Sequence, residues 1–289
     1  MLNTLDARAA LPSPLARLGA QVLSSTADGP DDALPIDVTL AAEVPVALVY
    51  NGISHAVMLA TPQDLEAFAL GFSLSEGILD RTQDCFDIEV RTENQASAAL
   101  PAGVTAATAE LTISARCFDR LKRHRRSMAG RTGCGVCGVD SFAGLELDLA
   151  PLAPAAWARR IDAPQVLDAI AQLPARQVLN AQSGAIHAAG WAHADGTLNV
   201  VFEDIGRHNA LDKLLGELAR SDRLGEPGFV VLTSRGSHEL VRKCVRLGVH
   251  GLATISAPTA MGVQMALQGG LRFWGMCRPP RALLYAPGR

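Results

Sequence analysis

Along the second half of the chain the hydrophobic pattern changes period repeatedly. Short apolar, β-branched runs at 185–192, 198–203, 229–233, 252–256 and 271–276 predict strands, and amphipathic stretches at 164–181, 207–220, 237–248 and 259–269 predict helices. Strands interleaved with helices of this length imply an α/β fold, its parallel or mixed sheet covered on both faces. The first half is patterned differently. "IDVTL", "VPVALVYN" and "SHAVMLA" are strand-like runs with a turn signal at Asn51-Gly52, and they predict a meander. "TPQDLEAFALGFSLSEGIL" predicts a helix with Thr61 as N-cap and Pro62 at the first helical position. Further strands are expected at 86–91 and 108–114, with the loop "ENQASAALPAGVTAAT" between them. "ARCFDRLKRHRRSM" reads as an exposed cationic helix, and the Pro- and Ala-rich stretch 150–164 as a linker. The expected organisation is a poorly ordered tail over 1–33, an N-terminal subdomain over 34–150 that ends in a cysteine-bearing loop, and an α/β domain over 160–289.

Composition narrows the class. A chain of 289 residues, 48% hydrophobic and 19% charged, can bury a sizeable core. No run reaches the ~18 apolar residues of a membrane span, and the N-terminus lacks the charged start and apolar run of a secretory signal. Of six cysteines, at 85, 117, 134, 137, 244 and 277, only Cys134 and Cys137 are close in sequence. That argues for a reducing cytoplasm and against a disulfide framework. The formal charge of −3 is unevenly spread: residues 116–131 hold six Arg, one Lys and one Asp, a balance of +6 that leaves −9 elsewhere. Within this block Lys122, Arg123, Arg125 and Arg126 are candidates for docking an acidic partner or an anionic ligand.

The block abuts "RTGCGVCGVDS", residues 131–141. A Cys-x-x-Cys pair can hold half a zinc site, cycle as a dithiol, or carry sulfur. Structural zinc asks for four ligands, and the sequence has neither a second such pair nor closely spaced histidines. His55 and His124, the histidines before the pair, have no Glu two places on, which leaves out the zinc-deaminase signature. A thioredoxin-like motif opens a helix, and "GCGVCG" is too rich in glycine to do so comfortably. The upstream arginines would stabilise a thiolate or a persulfide anion. The residues favour a sulfur or redox carrier and leave the acceptor open. Cys85, Cys117, Cys244 and Cys277 read as plain buried cysteines.

Three strand-to-helix junctions, "VVFEDIGRHNALDKLLG", "VVLTSRGSHELVRKC" and "ATISAPTAMGVQMAL", follow one another in the α/β half. Ligands of such sheets bind at the carboxyl ends of the strands, and helix N-termini there hold phosphates or polar heterocycles. Gly206 and Gly236 allow close backbone approach, while Ser237 and Thr259 are positioned as helix caps. With Glu203, Asp204, Arg207, His208, Asn209, Arg235 and His238 they make this edge the candidate ligand cleft. His187 and His193, flanking a predicted strand, read as structural.

Together "RTGCGVCGVDS", "FEDIGRHNALDKLLG", "TSRGSHELVRKC" and "ISAPTAMGVQMA" resemble the formate dehydrogenase accessory sulfurtransferases (FdhD), from about residue 35 to the C-terminus. The resemblance implies a three-layer, cytidine-deaminase-like domain with a mixed sheet and a smaller strand-rich N-terminal subdomain. It implies a cytoplasmic homodimer that takes persulfide sulfur from a cysteine desulfurase. The sulfur then passes to the molybdenum or tungsten bis(molybdopterin guanine dinucleotide) cofactor of the formate dehydrogenase catalytic subunit. No resident metal, nucleic acid or membrane is implied. Cys134 matches the persulfide-bearing position and Cys137 the second cysteine. The family's C-terminal cofactor-binding stretch, aromatic-small-Arg-Gly-Asp-Arg, falls on Met276, Cys277, Arg278, Pro279, Pro280 and Arg281. There Met replaces the aromatic residue and Pro-Pro the Gly-Asp, while both arginines remain to pair with phosphates. Two other functions fit the same residues: a dithiol oxidoreductase using Cys134 and Cys137, and a cofactor chaperone without sulfur transfer.

Overall fold

The computed structural model describes residues 10–22, 34–93, 100, 104–125 and 149–289. Strands β1 (Leu15–Val22) and β2 (Leu34–Ala41) pair antiparallel as a two-stranded ribbon. Strands β3 (Val44–Tyr50) and β4 (Ile53–Ala60) form a hairpin whose turn residues Asn51 and Gly52 both have positive φ, 46° and 78°. That is the conformation for which Asn-Gly is suited. Helix α1 (Leu65–Ser75), β5 (Cys85–Glu93), β6 (Ala106–Ile113) and α2 (Ala115–Arg125) follow. The four-stranded sheet runs β4-β3-β6-β5, with β3 and β6 parallel.

The meander expected from β2 to β4 is therefore not formed. Strands β3 and β6 bury alternate residues (Val44, Val46, Leu48 and Tyr50; Ala107, Ala109, Leu111 and Ile113), and these two half-buried strands pair at the sheet centre. Strand β2 pairs instead with β1, which lies inside the stretch expected to be a tail.

The chain then builds α3 (Ala163–Arg176), α4 (Asn180–Ser183), β7 (His187–His193), β8 (Leu198–Asp204), α5 (Arg207–Arg220), β9 (Gly228–Leu232), α6 (His238–Arg246), β10 (Gly251–Thr254), α7 (Ala260–Gly269), β11 (Arg272–Arg278) and β12 (Arg281–Pro287). The second sheet has the order β12-β11-β10-β9-β7-β8. Its β9, β10 and β11 are mutually parallel; β7 is antiparallel to both β8 and β9, so β8 runs with the parallel set. On one face Trp191, Val230, Leu252 and Phe273 pack against α5, α6 and α7. On the other, Phe229, Val231, Ala253 and Trp274 pack against Val166, Ile170 and Leu173 of α3. This is the expected three-layer α/β arrangement. The predicted helix over 164–181 ends at Arg176, soon after Pro174, which cannot donate to the helical ladder. The stretch 150–164 is no free linker: Leu152 joins one core and Ile161 the other. Strand β12 was not expected, because "RALLYAP" shows only a short apolar run after two prolines.

Helix α1 joins the two halves. It lies on the four-stranded sheet through Phe68 and Leu74 and crosses α5 on its opposite side. A Cβ on Gly71 would overlap the Asp212 carbonyl, and one on Gly216 the Ala67 carbonyl, so both glycines are required by the close approach of the two helices. Lys243, 2% exposed, bridges the halves: its Nζ lies 2.7 Å from Glu76, 2.8 Å from Asp212 and 2.8 Å from Ser75 Oγ. Among the described residues no helix is long and apolar enough to cross a membrane.

Candidate functional site

Because β8, β9, β10 and β11 run the same way, the turns at 204–207, 233–238 and 255–260 leave one edge of the sheet. The β11–β12 hairpin extends past it, and His187, opposite Asp204 in the register, lies there too. The turns are tied together: Ile255 N donates to Leu232 O, Thr259 N to Gly236 O, and Met276 N to Ser256 O. Gly236 is needed here, since a Cβ would strike the ring of Phe273. Four inter-strand steps of about 4.8 Å separate β8 from β11, so the edge spans about 19 Å.

The polar groups at this edge divide sharply into those already paired and those not. Asp204 is fully buried, and its oxygens accept from Thr61 N at 3.0 Å, Gly206 N at 2.8 Å and Asn209 Nδ2 at 3.0 Å, with Lys213 Nζ at 2.7 Å. Asn209 also donates to Leu59 O at 2.7 Å. These two expected ligand residues are instead spent on fastening the β4–α1 junction to the start of α5. Thr61 takes part in the same joint. Rather than capping α1, which starts at Leu65, its Oγ1 accepts from Ile205 N at 3.0 Å and its carbonyl from Lys213 at 3.1 Å. Glu203 accepts from the backbone N–H groups of Leu179 and Asn180, each at 2.8 Å, and so holds the start of α4.

Arg207 Nε, His208 Nε2 and Ser237 Oγ, buried at the N-termini of α5 and α6, have no hydrogen bond among the described residues. Burial, with Arg207 and Lys243 beside it, lowers the His208 imidazole to about 4, so it is neutral at pH 7. His238 Nδ1 lies 3.3 Å from Glu239 Oε2. Arg235, in the turn before α6, is exposed, and half-buried His187, its pKa lowered by burial and by Arg207, contacts Thr233 Oγ1 at 3.3 Å. Thr259 caps α7 by accepting from Gly262 N at 3.1 Å, as expected; Ser237 stands at the N-cap of α6 without a capping hydrogen bond.

At the far end of the edge Met276 has φ 53°, a costly conformation for a residue with a side chain. Arg278 and Arg281 are cross-strand partners, both exposed, at the Pro279-Pro280 tip. Cys277 does not face a ligand: it is fully buried in the core beside Trp274, and burial pushes its thiol up to about 12. Cys244 is likewise at about 12 and Cys85 at about 11, both through burial, so neither is an activated thiol. Cys134, Cys137 and Arg126 lie outside the described residues, as does the side chain of Arg125. On α2, Arg116 and Arg120 are tied to Asp80 and Asp84, and Lys122 pairs with Asp119.

Glu239 and His187 were missed as site residues. An acid in the first turn of a helix reads as a partner for the helix dipole, and a histidine at a strand start as structural, so neither carried a distinctive signal. A groove of about 470 Å³ between the two halves, lined by Leu65, Val90, Val200 and Phe202, contains none of the expected site residues.

The FdhD/NarQ family model matches residues 41–289. A sulfur carrier protein FdhD of Acinetobacter baylyi is 45% identical over 244 residues, covering 84% of this chain and 85% of that one. One from Burkholderia mallei is 49% identical over 236 residues, covering 82% and 84%. In fold, the chain is similar to a crystal structure assigned to a formate dehydrogenase accessory protein of Desulfotalea psychrophila. The TM-score is 0.66 at 21% identity, with 94% and 96% of the two chains covered.

Proposed function

Since the chain belongs to the FdhD/NarQ family, we propose that it is a cytoplasmic sulfur carrier serving formate dehydrogenase, with Cys134 as the sulfur-bearing residue. The Cys134 thiolate attacks the outer sulfur of a persulfide on a cysteine desulfurase. The donor's S–S bond breaks, its cysteine leaves as a thiolate, and Cys134 keeps the sulfur as a persulfide anion. The acceptor is the bis(molybdopterin guanine dinucleotide) cofactor, bound as substrate by a homodimer before it enters the catalytic subunit. What carries this reading is "RTGCGVCGVDS" in a chain 49% identical to a relative named as a sulfur carrier.

The edge described above suits that substrate. Arg207 at one end, Arg235 after the central β9, and Arg278 and Arg281 at the other end offer charge to phosphates along an edge about 19 Å long. Helix N-termini between them present free N–H groups.

Intact mass spectrometry after incubation with a desulfurase and cysteine tests the carrier role. One added sulfur atom, removed by reductant and absent in Cys134→Ala, is expected. A loss of two hydrogens without sulfur gain would make the pair a dithiol oxidoreductase. No change at all, with cofactor still bound, would leave a chaperone. Cys134→Ala should also abolish formate dehydrogenase activation.

A further inference from the structure

The turn between β8 and α5 is fastened from the other half of the chain. It consists of Ile205 and Gly206 alone, because β8 ends at Asp204 and α5 starts at Arg207. So short a connection has few acceptors of its own for its backbone N–H groups. Gly206 N donates to Asp204 Oδ1 at 2.8 Å, and Ile205 N donates to Thr61 Oγ1 at 3.0 Å. Thr61 gives the joint every polar group it has. Its N–H donates to Asp204 Oδ2 at 3.0 Å, its hydroxyl accepts from Ile205, and its carbonyl accepts from Lys213 Nζ at 3.1 Å. Just before it, the Leu59 carbonyl accepts from Asn209 Nδ2 at 2.7 Å. Thr61 is fully buried, and its hydroxyl caps no helix, since Asp64 stands at the N-cap of α1. The hydroxyl serves the β8–α5 turn and not its own element.

The residue that this turn presents is Arg207. Its Nε is buried without a hydrogen bond among the described residues, so the reach of the side chain depends on where the backbone sets its Cα. A guanidinium grips a phosphate through two parallel N–H···O bonds, which need alignment. A misplacement of about 1 Å is enough to spoil such geometry. Exchanging the Thr61 hydroxyl for a methyl leaves the Ile205 N–H facing carbon, and a buried backbone donor moves to find another partner. The turn shifts, and Arg207 with it. Asp204 and Lys213, both fully buried and 2.7 Å apart, keep the joint closed meanwhile, so the loss is one of placement rather than of fold.

We infer that Thr61 is a positioning residue of the candidate site: its hydroxyl holds the Ile205–Gly206 turn and so sets Arg207 for a phosphate. The inference rests on the proposed phosphate-binding role of this edge, and the test separates the two. GDP is titrated calorimetrically into the full-length parent, Thr61→Val, Thr61→Ser, Arg207→Ala and the Thr61→Val/Arg207→Ala pair, below the temperature at which each unfolds. Valine keeps the shape of threonine without its acceptor and should weaken GDP binding about tenfold, the worth of one hydrogen bond to a charged group. Serine keeps the acceptor and should bind as the parent does. In the Arg207→Ala background Thr61→Val should cost nothing further, because two changes acting through one group do not add. A merely stabilising hydroxyl would lower the unfolding temperature and leave the affinity of the folded protein untouched. Thr61→Ala, with no γ-methyl against the Ile205 N–H, carries the same expectation should the valine chain not fold. Unchanged GDP affinity in Thr61→Val, a serine variant as weak as the valine one, or equal losses with and without Arg207 would each overturn the inference while the edge keeps its substrate. If the parent binds no GDP at millimolar concentration, both fall.

Discussion

His208 shows how a single side chain records its surroundings. An ordinary imidazole titrates near 6.5. Here burial, Arg207 and Lys243 hold it at about 4, against the opposing pull of Glu239 and Glu76. Between these values the unfolded chain binds a proton that the folded chain refuses. Its favourable contribution is thus complete above pH 6.5 and is lost as the pH falls toward 4. His208→Gln keeps a polar side chain and removes the titration. Urea midpoints at pH 7 and pH 5 should therefore lie closer together in the variant than in the parent; an unchanged difference would contradict the buried, neutral assignment. At this scale the sequence was informative about which turns matter and silent about which of their residues face a ligand. Asp204 and His208 look equally available in "FEDIGRHN". Only the fold brings Thr61, 143 positions earlier, onto the Asp204 carboxylate and leaves His208 Nε2 without a partner.

Elements were legible wherever the periodicity was strong and local. Strands β7 to β11 and helices α5 to α7 fall within a few residues of their predicted spans, because each buries one regular face. The failures are matters of pairing. That β3 would lie beside β6, or that "LARLGAQV" would find β2, depends on long-range registers for which a local pattern holds no information. The contact of α1 with α5 is of the same kind. In isolation Gly71 and Gly216 look like weak points of two helices, yet each is required by a backbone carbonyl of the other helix. Gly71→Ala should improve helix propensity by about 1 kcal/mol and still lower overall stability by about 3 kcal/mol or more, since the Asp212 backbone cannot yield without moving α5. Chemical denaturation decides between the two effects; a net gain in stability would mean the helices separate without cost.

For the whole molecule the governing feature is the ion cluster between the halves. Asp212 follows His208 by four residues on α5, and Lys243 follows Glu239 by four on α6, so each pair shares a helix face. The cluster thus lies one turn behind the candidate site and clamps the two helices that carry it, while Glu76 ties in α1 and the four-stranded sheet. Burial alone would raise the Glu76 carboxyl, but Lys243 and Arg242 hold it at about 2, below its ordinary 4.5. Its contribution to stability is accordingly full above pH 4.5 and is lost as the pH drops toward 2. Removing Lys243 leaves the buried Asp212 carboxylate without a counter-charge in a closed interface, and Glu76 with Arg242 alone. Lys243→Met should therefore cost about 3–5 kcal/mol at pH 7, the range for breaking a buried pair. Adding Glu76→Gln and Asp212→Asn should recover part of that loss, because the uncompensated charges go with them. The single variant should also show a weaker stability dependence between pH 4.5 and 2, with Glu76 held down by Arg242 alone. Urea unfolding of the parent, the single and the triple variant across this range measures all three effects. If the triple variant were no more stable than the single one, the cluster would be acting through packing rather than charge, and the clamp on α5 and α6 would be apolar in origin.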